Sequence, residues 1–232
     1  MTPSDTPAAQ SASDHAAAIA EFARCIEGIA CLTGADDLRA KARDYYWYSP
    51  VLAELLEDCR ADIVVLPATE AEVVRVAAAA ARLRLQITVR GGGTGNYGQA
   101  VPIQGGIVLE TTRLDKIVEI AEGRVRVQAG ARLEPVLDAV RATGQQLMIY
   151  PSTMSIATVG GFVAGGSAGI GTARHGILKE SGTMRALRIV TLEERPRTLT
   201  LTDADVELVH HAWGTNGIIV EVDLALVPAV DW

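Results

Sequence analysis

Cysteine, aromatic residues and clustered positive charge are all scarce in this sequence, and each scarcity removes a class of protein. The only cysteines are Cys25, Cys31 and Cys59. An odd number with no CxxC pair argues against a disulfide framework and points to free thiols of a cytoplasmic chain. No cluster of His, Cys, Asp and Glu has metal-ligand spacing, so no metal is expected. Lys and Arg number 21 against 28 Asp and Glu, with no basic stripe, which argues against nucleic acid as a partner. Aromatics make up 4% of the chain, so the run Tyr45, Tyr46, Trp47, Tyr48 stands out as a cover for a ligand, a partner surface or core.

A long apolar run is missing too. Between Arg141 and Arg174 no residue is charged, but Pro151, two glutamines, several Ser and Thr and six glycines in "GGFVAGGSAGIG" break the stretch. A membrane-spanning helix needs about 20 predominantly apolar residues, so no transmembrane segment is expected. The segment fits a buried, neutral surface that faces a ligand. The opening "MTPSDTPAAQSASDH" has neither the basic nor the apolar region of a signal peptide and reads as a disordered tail over 1–15.

What is present is a chain of 232 residues with mixed α and β patterning. Ala16 to Leu32 reads as an amphipathic helix, and a second follows the aromatic run. "DIVVLP" is a buried-strand pattern, Thr69-Glu70-Ala71-Glu72 matches a capping box, "EVVRVAAAAARLRL" keeps helical spacing, and "QITVR" is a second strand. Three strand-like segments follow ("GGIVLETT", "KIVEI", "RVRVQAG"), then a helix in "LEPVLDAVRAT". "RALRIVTLE" and "RTLTLT" form a hairpin pattern, Asp203 opens a helix in "ADVELVHHAW", and "GTNGIIVEVDLALVP" is a last strand.

Two glycine-rich loops interrupt this order. "VRGGGTGNYGQAV" sets five glycines in eight positions after a strand. Read literally it contains GxGxxG, but a dinucleotide fingerprint requires a helix opening on the last glycines. Here "QAVPIQGG" follows, and no Lys-Ser/Thr completes a Walker A loop. An anion-binding nest of main-chain N–H groups remains. Thr94 adds a hydroxyl and Arg90 is placed to add charge. The second block, "YPSTMSIATVGGFVAGGSAGIGTARHG", joins hydroxyls at Ser152, Thr153 and Thr158 to close-approach glycines at Gly160 and Gly161. It suits a large flat ring with a polar edge, or tight packing between core elements.

Taken in order, "VRGGGTGNYGQAVPIQGGIVLETTRLDKIVEI", "QAGARLEPV", "YPSTMSIATVGGFVAGGSAG", "RHG" and "GTNGIIVEVDLAL" resemble the p-cresol methylhydroxylase-type FAD-binding domain. Within it, the chain looks most like the FAD-linked subunit of glycolate oxidase and its D-lactate dehydrogenase relatives. The resemblance runs from about Asp62 to Pro228. It implies an α+β fold of two subdomains with FAD between them: an N-terminal helical segment at 16–58, then subdomains at 59–120 and 121–230. On the family pattern Arg90, Gly91, Gly92, Gly93, Thr94, Gly95 and Gly98 cradle the pyrophosphate. Pro151, Ser152 and Thr153 lie along the flavin, Ala157, Thr158, Gly160 and Gly161 face its ribityl and phosphate region, and Gly165 stands where a small residue often follows. Ile218, Ile219 and Val220 bring backbone to the cofactor.

The resemblance further implies oxidation of a small 2-hydroxy acid, of glycolate or D-lactate type, with electrons passed to FAD. The alternatives are an FAD-carrying electron-transfer subunit without its own substrate site, and a cofactor-free scaffold. The first loop has no histidine for a covalent tether, which implies non-covalent FAD, and "GGSAG" replaces the family's "NAGG". The family normally continues into a substrate-covering domain, so a cap domain or partner subunit is expected, with a cut-down chain favoured. No catalytic base is assigned. Arg174 and His175 stand as candidates near the flavin or as a surface anchor, while His210 and His211 read as ordinary helix residues.

Overall fold

The computed structural model describes residues 12–180 and 182–230. Its elements in chain order are α1 (Ala12–Cys25), β1 (Ala30–Leu32), α2 (Ala35–Lys41), α3 (Pro50–Leu56), β2 (Ile63–Leu66), α4 (Glu70–Leu83), β3 (Ile87–Arg90), β4 (Ile107–Glu110), β5 (Ile117–Ala121), β6 (Arg124–Gln128), α5 (Leu133–Arg141), β7 (Gln145–Leu147), α6 (Val159–Gly165), α7 (Thr172–His175), β8 (Met184–Val190), β9 (Thr198–Thr202) and β10 (Ile218–Pro228). Short 3-10 turns lie at Tyr46–Tyr48, Thr111–Arg113 and Asp203–Leu208.

The strands form two sheets. In the first, of order β1-β2-β4-β3, β4 runs parallel between β2 and β3, and β1 pairs antiparallel to β2. The crossover through α4 therefore skips one strand position, which β4 later fills. Thr69 caps α4 by accepting from the Glu72 N–H at 3.2 Å, and the Glu72 carboxylate accepts from the Ala68 N–H at 2.7 Å. The expected capping box forms with its return bond one residue early. Val73, Val76, Ala77 and Ala80 of α4 are buried against the sheet together with Phe22 of α1 and Ile26 just after it.

The second sheet is antiparallel, of order β5-β6-β10-β8-β9, with β7 added to the far end of β10. The predicted β8–β9 hairpin forms, pairing Ala186 to Val190 with Thr202 to Thr198. β5 belongs to this sheet, a few residues ahead of the division expected at 120/121. β10 serves both cores. Ile218 and Val220 pack in the first, while Ile219, Val222, Leu224 and Leu226 pack in the second. A bulge against β8 between Ile219 and Glu221 reverses the inward alternation, so even positions face one core before it and the other after it.

Three local expectations change. The first helix starts at Ala12 and ends at Cys25, because Gly28, at φ +87°, turns the chain into β1. Of the tail expected at 1–15, positions 12–15 are thus helical and the rest lie outside the described residues. The helix expected from Asp203 is a 3-10 turn ending at Leu208. Beyond it the N–H groups of His211 and Trp213 leave the helical pattern to donate to Val163 and Ala164 carbonyls of α6, at 3.2 and 3.1 Å.

One ion pair ties α4 to the second sheet. Arg188 of β8 donates from Nε and Nη2 to the two carboxylate oxygens of Glu70, at 2.6 and 2.9 Å. That bidentate bond holds the Glu70 carboxyl below its ordinary range. A depressed carboxylate pKa contributes stability above the unfolded-state value and loses it as pH falls through the folded one. Both side chains are partly exposed, so Glu70→Gln is expected to cost about 1 kcal/mol at pH 7. In thermal melts the gap between variant and parent stays constant above pH 4.5 and closes below it; a gap that persists in acid would count against the ion pair.

Candidate functional site

The first glycine loop leaves the end of β3, and the second wall descends from 151 into α6. The two walls touch. A Cβ added to Gly91 would strike the Thr158 hydroxyl and one on Gly92 the Ile156 carbonyl, with the Gly161 Cα 3.5 Å from the Gly91 position. These glycines are required by the protein's own opposing wall, a reason that the sequence did not reveal.

Between the walls lies a cleft of about 250 Å³. Gly91, Gly92, Gly93, Thr94 and Gly95 line it from one side. Pro151, Thr153, Ala157, Thr158, Gly160, Gly161 and Gly165 line it from the other, and Ile219 from β10. Thr158 caps α6 by accepting from the Gly161 N–H at 3.2 Å, which fixes its hydroxyl against Gly91. Among the described residues, the lining has no Asp, Glu, Lys or Arg. Such a surface meets an anion with main-chain N–H groups and hydroxyls, and a flat ring with glycine and apolar faces.

Five of the expected residues lie off the lining. Ser152 is exposed, Gly98 is buried with Leu56 against it, and the Ile218 and Val220 side chains are core. Arg90 turns away from the cleft. Its Nη1 donates to the Arg43 carbonyl, its Nε lies 3.7 Å from Glu110, and its guanidinium fills the space that a Cβ on Gly93 would need. Burial pushes the Arg90 pKa down, and Glu110 and Asp44 pull it back. Glu110 also accepts from Lys41 at 2.9 Å and from the Thr112 hydroxyl at 2.7 Å. Asp44 is raised by burial, against the lowering effect of the Tyr46, Ala100 and Gly98 N–H groups and of Arg90. The charge expected in the anion site thus sits beneath the loop, inside a buried network.

The aromatic run braces this loop from outside the cleft. The Tyr45 N–H donates to the Gly95 carbonyl at 2.7 Å, Tyr46 is buried, and Trp47 and Tyr48 stack in the open at 3.9 Å. Arg174 and His175 in α7 are also off the lining. Missed from sequence were Asn96, Tyr97 and Gln99 on the first loop, and His211, Trp213, Gly214 and Gly217 before β10. His211 was expected on a helix face. It stands instead at φ +53° on the cleft wall, where Gly166 leaves room for its ring.

Two sheets holding a neutral, glycine-walled cleft between them define a nucleotide-cofactor-binding α+β protein. The profile of the FAD binding domain family matches residues 61–198, more than half of the chain, and the chain belongs to that family. It is 31% identical over 172 residues to an uncharacterised FAD-linked oxidoreductase of Mycobacterium tuberculosis, covering 71% of this chain and 37% of that protein. It is 29% identical over 174 residues to the glycolate oxidase subunit GlcD of Escherichia coli (72% and 34% covered), and 29% identical over 172 residues to a D-lactate dehydrogenase of Archaeoglobus fulgidus (72% and 39%). The chain therefore spans little more than a third of these relatives. A solved alkyldihydroxyacetonephosphate synthase superposes with a TM-score of 0.78 at 19% identity, over 90% of this chain and 40% of that one, which shows a shared fold. The p-cresol methylhydroxylase-type fold and FAD as its cofactor stand as the sequence resemblance implied, and the charge-free cleft fits a dinucleotide.

Two substitutions probe the site's construction. Gly92→Ala drives a methyl group into a backbone carbonyl that cannot yield, and is expected to cost about 1–3 kcal/mol. Gly123→Ala, at φ +74° with nothing near its Cβ position, carries only the backbone penalty of about 1 kcal/mol. If melting temperatures show Gly92→Ala no worse than Gly123→Ala, the walls do not interlock. Arg90→Met leaves Asp44 without its cation and Glu110 with Lys41 alone, and is expected to cost about 3 kcal/mol in denaturant titrations; stability within 0.5 kcal/mol or so of the parent would place Arg90 outside the buried network.

Proposed function

We propose that this chain is the FAD-holding part of an oxidoreductase that oxidises a 2-hydroxy acid of the glycolate or D-lactate type. The observation that carries the reading is the neutral cleft walled by two glycine-rich surfaces, in a chain whose relatives include a glycolate oxidase subunit and a D-lactate dehydrogenase. Gly91 to Gly95 and Gly160 to Gly161 offer main chain to the diphosphate, with the Thr94 and Thr158 hydroxyls beside them. Pro151 and Thr153 offer a surface to a ring. FAD, when bound, supplies the two-electron acceptor; the protein supplies its position. The binding is non-covalent, as the absence of histidine from the first loop supports. A cytoplasmic setting accords with free Cys25, Cys31 and Cys59. Among the described residues no helix is long and apolar enough to cross a membrane.

A hydroxy-acid carboxylate needs a cation to orient it, and the cleft lining has no Lys or Arg. That observation supports a cap domain or partner subunit that completes the substrate site. It equally favours the second reading, an FAD-carrying electron-transfer subunit.

The test is an absorbance spectrum of the purified chain before and after acid precipitation. Flavin released to the supernatant and identified as FAD is the expected result, followed by anaerobic bleaching of the visible band on adding glycolate or D-lactate to the chain with its completing partner. Flavin retained in the pellet would overturn non-covalent binding. A folded chain that stays colourless with added FAD would overturn the assignment, and a flavin that no hydroxy acid bleaches would leave the electron-transfer reading.

A further inference from the structure

The wall before β10 is built from two non-glycine residues in left-handed backbone. His211 has φ +53° and Trp213 φ +52°, conformations that cost side-chain-bearing residues about 1 kcal/mol or more each. Nothing in core packing requires this, since both side chains are exposed. The segment is nevertheless firmly tied. Its N–H groups bond to the last turn of α6, Thr215 Oγ1 donates to the Ala212 carbonyl at 2.7 Å, and Asn216 Nδ2 donates to the Leu208 carbonyl at 2.7 Å. Gly214 packs against Val89 at the foot of the first loop. The strain holds two ring side chains on the cleft wall, 5.9 Å apart between centroids and edge to face.

We propose that Trp213 and His211 form a stacking wall for one planar heterocycle of the bound dinucleotide. The inference rests on the FAD reading above. The glycines that suit a diphosphate stand at the start of α6, while the His211–Trp213 turn is bonded to its end. The His211 ring lies against Gly166, five to six residues beyond these glycines and roughly 8 Å along the helix, within the reach from a dinucleotide's phosphates to one of its rings. A tryptophan on a backbone already tied has only two side-chain torsions to lose on stacking, and His211 adds a second ring with hydrogen-bonding nitrogens to the lining. The heterocycle is the adenine or the isoalloxazine, and the two give different signatures.

The experiment titrates FAD, FMN and ADP separately onto the flavin-free 232-residue chain and onto its Trp213→Gly, Trp213→Phe and His211→Asn variants. Gly and Asn tolerate the left-handed backbone, so these variants keep the fold, as melting curves without ligand would check. Trp213→Gly is expected to weaken FAD about tenfold, Trp213→Phe to restore most of the loss, and His211→Asn to weaken it a few-fold. If the wall stacks on adenine, Trp213→Gly weakens ADP in step and leaves FMN alone. If it stacks on isoalloxazine, FMN weakens instead and bound flavin fluorescence brightens. FAD affinity unchanged in both Trp213→Gly and His211→Asn would overturn the proposal while leaving the cofactor reading intact. A parent chain that binds none of the three ligands would overturn the cofactor reading itself.

Discussion

The contact of Gly91 and Gly92 with the wall at 156–161 is the constraint on which the remaining architecture depends. Two backbones meet there at a distance that excludes even a methyl group. A chain cannot hold such an approach by the contact alone, because backbone packed on backbone buries little apolar surface. The approach is held from behind instead. β10 contributes Ile218 and Val220 to one core and Ile219 and Val222 to the other, and its bulge lets a single strand do both. The Glu70–Arg188 pair fixes α4 to the same sheet. Stiff cores, each anchored in the other, turn two facing glycine surfaces into a cleft of defined width.

Beneath that cleft the charges have been moved inward. Arg90, Lys41, Glu110 and Asp44 form a network with two charges of each sign, and Arg90 supports Gly93 from below. Burying such a set is costly in desolvation and is rarely a net source of stability. Its value here is geometric: the guanidinium, bonded to the Arg43 carbonyl and paired with Glu110, sets the height of the loop above it, while the Tyr45 N–H holds Gly95 from the flank. With these cations engaged below, no Lys or Arg enters the lining among the described residues, and what the first loop offers there is main chain and the Thr94 hydroxyl. An anion can then be bound without a side chain that must first be ordered.

How much of this could be read from the sequence follows the range of the interactions. The β2–α4–β3 unit and the β8–β9 hairpin were legible, because periodicity, capping residues and turn composition are local. Both glycine loops were legible as surfaces that approach something. What Gly91 and Gly92 approach was not, since their partners at 156–158 lie far along the chain. β1 and β7 are three residues long, too short for any period to show, and each exists through pairing with a distant strand. The direction of Arg90 depended on Glu110 and Asp44, which nothing in "VRGGGTG" indicates. His211 and Trp213 were hidden for another reason. A left-handed turn announces itself through glycine, and here the turn is made by a histidine and a tryptophan held to α6 by hydrogen bonds that composition does not encode.

The charge-free lining also separates two tasks that a single site often combines. Holding a large cofactor favours a neutral, pre-shaped surface, because each unpaired charge in such a cleft would have to be desolvated when the cofactor enters. Orienting a small carboxylate favours the reverse, a fixed cation close to the reacting carbon. Those demands conflict within one narrow cleft. This chain satisfies the first, with Arg90 and Lys41 engaged beneath the cleft, and it spans little more than a third of the relatives it matches. On the function proposed above, the same division puts recognition of a carboxylate away from the glycine walls, whose main chain is given to the cofactor, and on cationic side chains that reach the open mouth of the cleft.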